Sequence, residues 1–110
     1  MGFGCLLAMQ AASAVSIITG TITEIDTTSS LGGAPGNGDL RVFLGGTTFC
    51  PGTSDGSWGF VNANDANYKG VLATVLFAYG TGKQVTVYTR PGPIVGAGTY
   101  CQITWVQVHG

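Results

Sequence analysis

His109 is the only histidine in the chain and stands one residue from its end. A serine or cysteine nucleophile needs a base that a third group holds in place. A single terminal imidazole does not supply that arrangement, and it reads as a mobile tail residue. Glu24 and Asp26 sit two apart on a stretch that reads as a strand, so they share a face. They could pair as carboxylates or stand as two solvated acids at a loop end. Asp55 is a lone acid in a turn, and Asp65 suits the first turn of a helix, where a negative charge meets the dipole. No ligand set has metal spacing. Gly32-Gly33 and Gly96-Ala97-Gly98 lack the lysine and the following helix of a phosphate loop. The chain is therefore expected not to be an enzyme and to carry no metal or cofactor.

What remains is a wealth of hydroxyls and amides, set beside Trp58, Tyr88, Tyr100 and Trp105. Neutral glycans are bound by such groups, through hydrogen bonds and aromatic stacking. Trp58 and Trp105 are expected in the core instead, because burying large rings dominates the stability of a small domain. The composition points the same way. Only 8% of the 110 residues are charged, against about 25% in an average domain. The net charge is −1 and there is no basic stripe, which excludes a phosphate-backbone binder. With 45% hydrophobic residues and 19 Gly, the chain is too apolar for disorder and reads as a β-rich domain with a Thr, Ser, Asn and Gly surface.

Residues 2–9 form a short apolar run, and Ala12-Ser13-Ala14 has the small-x-small pattern of a signal-peptide cleavage site. Residues 1–14 are expected to be a cleaved signal peptide, with a buried first strand or helix as the alternative, and residues 15–110 a single domain. No other stretch is long and apolar enough to span a membrane. Cleavage would remove Cys5 and leave Cys50 and Cys101. An even count in an exported chain reads as one disulfide; two buried free thiols are the alternative.

The elements that must position these residues follow from periodicity. Ser16 to Asp26 is rich in Ile and Thr and reads as strand one. Thr27 to Asp39 is a Gly- and Pro-punctuated loop. Leu40 to Leu44 and Trp58 to Val61 read as strands. Tyr68, Val71, Leu72, Val75, Leu76 and Tyr79 then recur at helical spacing. Asn62 or Asn64 is a plausible N-cap and Gly80 or Gly82 a C-cap. The opposite face of that helix holds Gly70, Ala73, Thr74 and Phe77, small and apolar, and either is buried in the monomer or meets a partner. Gln84 to Arg90 alternates as a strand, Pro91-Gly92-Pro93 starts a loop, and Thr99 to Val108 is the last strand, with Cys101, Ile103 and Trp105 on one face. A mainly β domain follows, a β-barrel of the OB type with one amphipathic helix between strands three and four; other small barrels and α+β folds share the pattern.

Trp58-Gly59, the helix ending Phe77-Ala78-Tyr79, Thr81-Gly82-Lys83, the strand Val85-Thr86-Val87-Tyr88 with Pro91-Gly92 after it, the placing of Cys50 before Trp58, and Thr19-Gly20 in strand one together resemble the B subunits of subtilase cytotoxin and of pertussis-like and typhoid-type toxins. The resemblance covers about two-thirds of the chain after residue 14. It implies an exported bacterial protein, secreted or periplasmic, with an OB fold that assembles as a ring-shaped homopentamer whose helices line the pore. It implies binding of cell-surface glycans, sialylated ones among them, and a catalytic A subunit as partner. Thr19 takes the place of the family's sugar-contacting hydroxyl residue. Thr89 stands where the family has a contributing tyrosine, with Tyr88 just before it, and Arg90 is a partner for a sugar carboxylate. Gly70, Ala73, Thr74 and Phe77 become the oligomer interface. Two other readings stay open: a secreted or periplasmic assembly protein with the same fold and no sugar binding, and a monomeric inhibitor or ligand-binding barrel.

Overall fold

The structure is a computed structural model and describes residues 16–29, 38–50, 56–94 and 99–110. The signal-peptide reading of residues 1–14 lies outside the described residues, as does Asp55. The fold is mainly β with one helix. The strands are β1 (Ser16–Thr21), β2 (Glu24–Thr27), β3 (Asp39–Phe43), β4 (Gly59–Asn62), β5 (Gln84–Pro93) and β6 (Thr99–Val108), and α1 (Tyr68–Thr81) lies between β4 and β5.

The strands form one six-stranded sheet in the order β1-β5-β6-β4-β3-β2. Every pairing is antiparallel except β4 with β6, which is parallel. The sheet is not closed, and β1 and β2 are its two edges. These edges are nevertheless neighbours in the chain, separated by Ile22 and Thr23 alone. Sequence periodicity gave one long strand here. The break occurs because the first half pairs with β5 and the second with β3, and buried Ile22 turns the chain between them. The Thr23 hydroxyl oxygen accepts from the Gly45 N–H at 3.0 Å, and the Thr23 N–H donates to the Phe43 carbonyl at 2.9 Å. Gly45 and Gly46 both have positive φ, 50° and 78°, which Gly adopts without the cost a Cβ brings.

One face of the sheet carries the main core. Leu40, Val42, Val61, Val85, Val87 and Ile103 pack there with Phe49 and with Val75 and Ala78 of α1. The disulfide Cys50–Cys101 is formed within this cluster, as expected in preference to two buried free thiols. A second cluster of Trp58, Phe60 and Ile94, flanked by Phe43 and Tyr100, lies apart from it. Trp58 stacks on Tyr100 at 5.0 Å, and the Arg41 guanidinium lies 4.2 Å from the Trp58 ring centre. Trp58 is therefore a core residue, as expected.

Three local expectations change. The helix starts at Tyr68, after Asn67 rather than Asn62 or Asn64, so Asp65 precedes it; Gly82 closes it in the left-handed conformation at φ 68°. Its buried side runs through Val75 and Ala78, with Tyr68, Val71 and Leu72 partly buried, while Leu76 and Tyr79 are exposed. Leu76 follows Val75 by about 100° around the axis and so leaves the arc that the sheet covers. Pro91-Gly92-Pro93 extends β5 rather than opening a loop, pairing with Cys101, Tyr100 and Thr99. Thr89 is the last β5 residue paired with β1, and the prolines beyond it remove no bond from that pairing. Finally, Trp105 is 56% exposed and not in the core. The register shifts between Tyr88 and Thr89, so that Ile103 pairs with Thr89 while Trp105 pairs with Tyr88. Thr104 is the extra residue of a β-bulge, and one inserted residue sends the next side chain to the other face.

Candidate functional site

The side of β1, β5 and β6 away from the main core is built in rows. Ile17 pairs with Tyr88, and Tyr88 with Trp105. Thr19 pairs with Thr86, and Thr86 with Gln107. Arg90 pairs with Gln102. Side chains two apart on a strand share a face, so an apolar row of Ile17, Tyr88 and Trp105 runs between a hydroxyl and amide row and an Arg–Gln pair. The Tyr88 and Trp105 rings stack, with centres 5.1 Å apart and planes 26° from parallel. The Thr104 hydroxyl donates to the Tyr88 carbonyl at 3.1 Å and ties the bulge down beneath them. Ile17 and Trp105 remain more than half exposed, an unusual position for an Ile and a Trp that a small core would have welcomed.

The two hydroxyls of that row are bonded to each other, and one of them to His109. The Thr19 and Thr86 hydroxyls lie 2.8 Å apart, and the Thr86 hydroxyl lies 2.7 Å from His109 Nε2. The His109 N–H donates to the Gln84 carbonyl at 2.9 Å. His109 is thus held on the sheet, not a free tail, because β6 runs antiparallel to β5 and delivers it beside Thr86.

Of the four residues expected to meet a sugar, Thr19, Tyr88 and Arg90 lie on this face and Thr89 does not. Thr89 is fully buried and its hydroxyl donates to the Ser16 carbonyl at 3.1 Å. It follows Tyr88 on the same strand and so takes the opposite face. Ile17, Thr86, Trp105 and Gln107 join the site unforeseen. Thr86 shares its face with Tyr88 by the alternation of β5, while the others depend on cross-strand register, which no local pattern carries.

The four residues expected at an oligomer interface also divide. Ala73 and Phe77 are exposed on the outer side of α1 with Leu76 and Gly80. No charged residue occurs in α1 after Lys69. Gly70 and Thr74 line a cleft of about 370 Å³ between α1 and β6.

Glu24 and Asp26 do interact at the opposite edge of the sheet. A hydrogen bond with Asp26, and then the repulsion of its charge, raise the Glu24 carboxyl above its ordinary value. Glu24 is exposed, so the pair reads as a solvated contact. Among the described residues no three His, Cys, Asp or Glu side chains gather as metal ligands would, and no helix is long and apolar enough to cross a membrane. No protein family, curated protein or solved structure matches the chain.

Proposed function

We propose that this chain is an exported glycan-binding subunit that works as a ring-shaped homo-oligomer, the lectin half of a toxin-like assembly. The single observation that carries the sugar site is the stack of exposed Trp105 on half-buried Tyr88, flanked by the exposed Thr19, the buried Thr86 hydroxyl that bonds it, and Gln107. A pyranose has an apolar C–H face and a rim of hydroxyls. An amphipathic aromatic surface with neutral donors and acceptors beside it matches both parts. Arg90 adds hydrogen-bond donors at the edge of the same face, for the hydroxyls of a neutral sugar or the carboxylate of a sialylated one. The disulfide favours an oxidising compartment outside the cytoplasm, secreted or periplasmic.

The strand order supports an OB-type barrel. Taken as the two halves of one long strand, β1 and β2 bring the sheet back to its start, in the order first, fourth, fifth, third, second, first. The helix then falls between the third and fourth strands, as in that fold.

A glycan array on residues 15–110, with the mass of the species measured on the same sample, tests the sugar reading. Specific binding is expected, and Trp105→Ala should weaken it at least about tenfold, which corresponds to about 1.4 kcal/mol of lost stacking. An unchanged array pattern in that variant would rule out the stack as the sugar platform.

The second reading, an assembly protein without sugar binding, draws on the exposed Ala73, Leu76, Phe77 and Gly80 side of α1. A helix face without charge is suited to a partner helix from a second copy, five copies closing a ring around the helices, with a catalytic subunit seated over it. Phe77→Asp should convert the oligomer to monomer in sedimentation velocity, with the monomer still folded, because the side chain is 55% exposed in the single chain. An oligomer of unchanged mass would remove α1 from the interface.

A further inference from the structure

The sugar platform does not end at Trp105. The same residue lines the cleft between α1 and β6, together with Thr104 and Val106 on the strand and Asn67, Gly70 and Thr74 on the helix. We propose that this cleft is a second sugar subsite, for an uncharged pyranose ring, so that the ligand is a neutral oligosaccharide spanning platform and cleft rather than a single sugar. This rests on the glycan reading of the Tyr88–Trp105 face and extends it.

The cleft's size fits a built ligand site. Small-molecule pockets run from about 300 to 1,000 Å³, and this one is about 370 Å³. Its lining fits a neutral hydroxylated ring. None of the lining side chains is ionisable, so a carboxylate or phosphate would lose its hydration with no counter-charge. The hydroxyls are already committed as donors. Thr74 donates to the Gly70 carbonyl at 3.0 Å and Thr104 to the Tyr88 carbonyl at 3.1 Å. Each keeps lone pairs free to accept, and sugar hydroxyls are donors. Val71 and Val106 supply apolar surface for the C–H face.

Asn67 and Gly70 show why the cleft stays open. Asn67 occupies the cap position, where its side chain would ordinarily bond the first turn, yet it makes no such bond. Instead its side-chain carbonyl lies over Gly70, where a Cβ would overlap it. Glycine inside a helix costs stability relative to alanine. At this position the absent side chain leaves room for an amide at the mouth of the cleft, with one acceptor and two donors to offer.

The test is an NMR titration of the ¹⁵N-labelled protein with methyl β-D-glucopyranoside, methyl β-D-galactopyranoside, cellobiose, lactose and 3′-sialyllactose. A disaccharide should bind at least about tenfold more tightly than its matching glycoside, as a second linked contact provides. Its shifts should reach from the Trp105 indole N–H to the Asn67 side-chain amide and the Thr74 and Thr104 amides. Gly70→Leu, which fills the cleft and displaces the Asn67 amide, should make disaccharide and glycoside bind alike. Shifts confined to Thr86, Tyr88 and Trp105, with equal affinities for the two sizes, would overturn the cleft subsite and leave the platform standing. Binding of 3′-sialyllactose alone would overturn the neutral class while keeping the glycan reading. No shift with any of the five sugars would overturn both. The wild-type titration decides the matter even where Gly70→Leu folds poorly.

Discussion

Replacing Cys50 and Cys101 together by alanine should lower the unfolding free energy by about 4 kcal/mol. The bridge spans 51 residues of sequence, and cross-linking so long a loop removes much of the unfolded chain's entropy. The loss is large beside the ~5–15 kcal/mol that a domain has in total. Geometry adds to the effect. Cys101 is fully buried near the start of β6, opposite Gly59 of β4. Cys50 closes a stretch, Thr47–Cys50, that belongs to no strand. Its N–H donates to Cys101 Sγ at 2.9 Å, and Phe49 beside it is buried in the main core. The bridge therefore pins an otherwise unladdered segment, and its large aromatic, onto the sheet. Guanidinium unfolding of the double variant, and of the wild type under reductant, should give the same fall within about 1 kcal/mol. A fall below about 1 kcal/mol in both would mean that the ladder and the Phe49 packing hold this segment without the crosslink.

How far the sequence could be read depends on the range of the forces involved. The mainly β character was legible because β-branched residues and period-two alternation are local signals. The cysteine pair was legible because two cysteines in a small domain read as exported restrict the options. Trp58 as core was legible from ring size alone. Trp105 was not: alternation through Cys101 and Ile103 put it inside, and the bulge at Thr104 reverses its side without a glycine to mark it. The sugar-facing residues divide along the same line. Tyr88 and Arg90 entered through likeness to other chains, and the alternation of β5 keeps both on one face. Ile17 and Gln107 became neighbours of that row only through pairings that join β1, β5 and β6 from opposite ends of the chain. Thr89 was drawn in by likeness to other chains, and one-residue parity on β5 takes it out again. The outer face of α1 is a different case. Its apolar residues were visible in the sequence, but the apolar content of all its sides hid the true buried arc, so that Leu76 and Tyr79 were placed inside.

The second large effect concerns the half of the sheet away from the sugar platform. Arg41→Met should destabilise the fold by about 3–5 kcal/mol, the usual consequence of removing one partner of a buried ion pair. Asp39 is fully buried and receives the Arg41 Nε–H at 3.2 Å, the one salt bridge among the described residues. The Thr28 hydroxyl donates to the same carboxylate at 2.7 Å, while the Asp39 N–H donates back to the Thr28 oxygen at 2.9 Å. Without the guanidinium, the carboxylate keeps its single hydroxyl donor and loses its counter-charge in a place that water does not reach. The Trp58 ring loses the cation above it as well. Asp39→Asn should cost less, because the amide oxygen can still accept from Thr28 and the Arg41 side chain, 14% exposed, can reach water. The double variant should therefore be more stable than Arg41→Met alone, since it leaves no unpaired buried charge. Urea unfolding of the three proteins measures the coupling directly. Additive losses would show that Asp39 and Arg41 act separately, each through its own neighbours, and that the Arg41–Trp58–Tyr100 stack alone secures this end of the sheet.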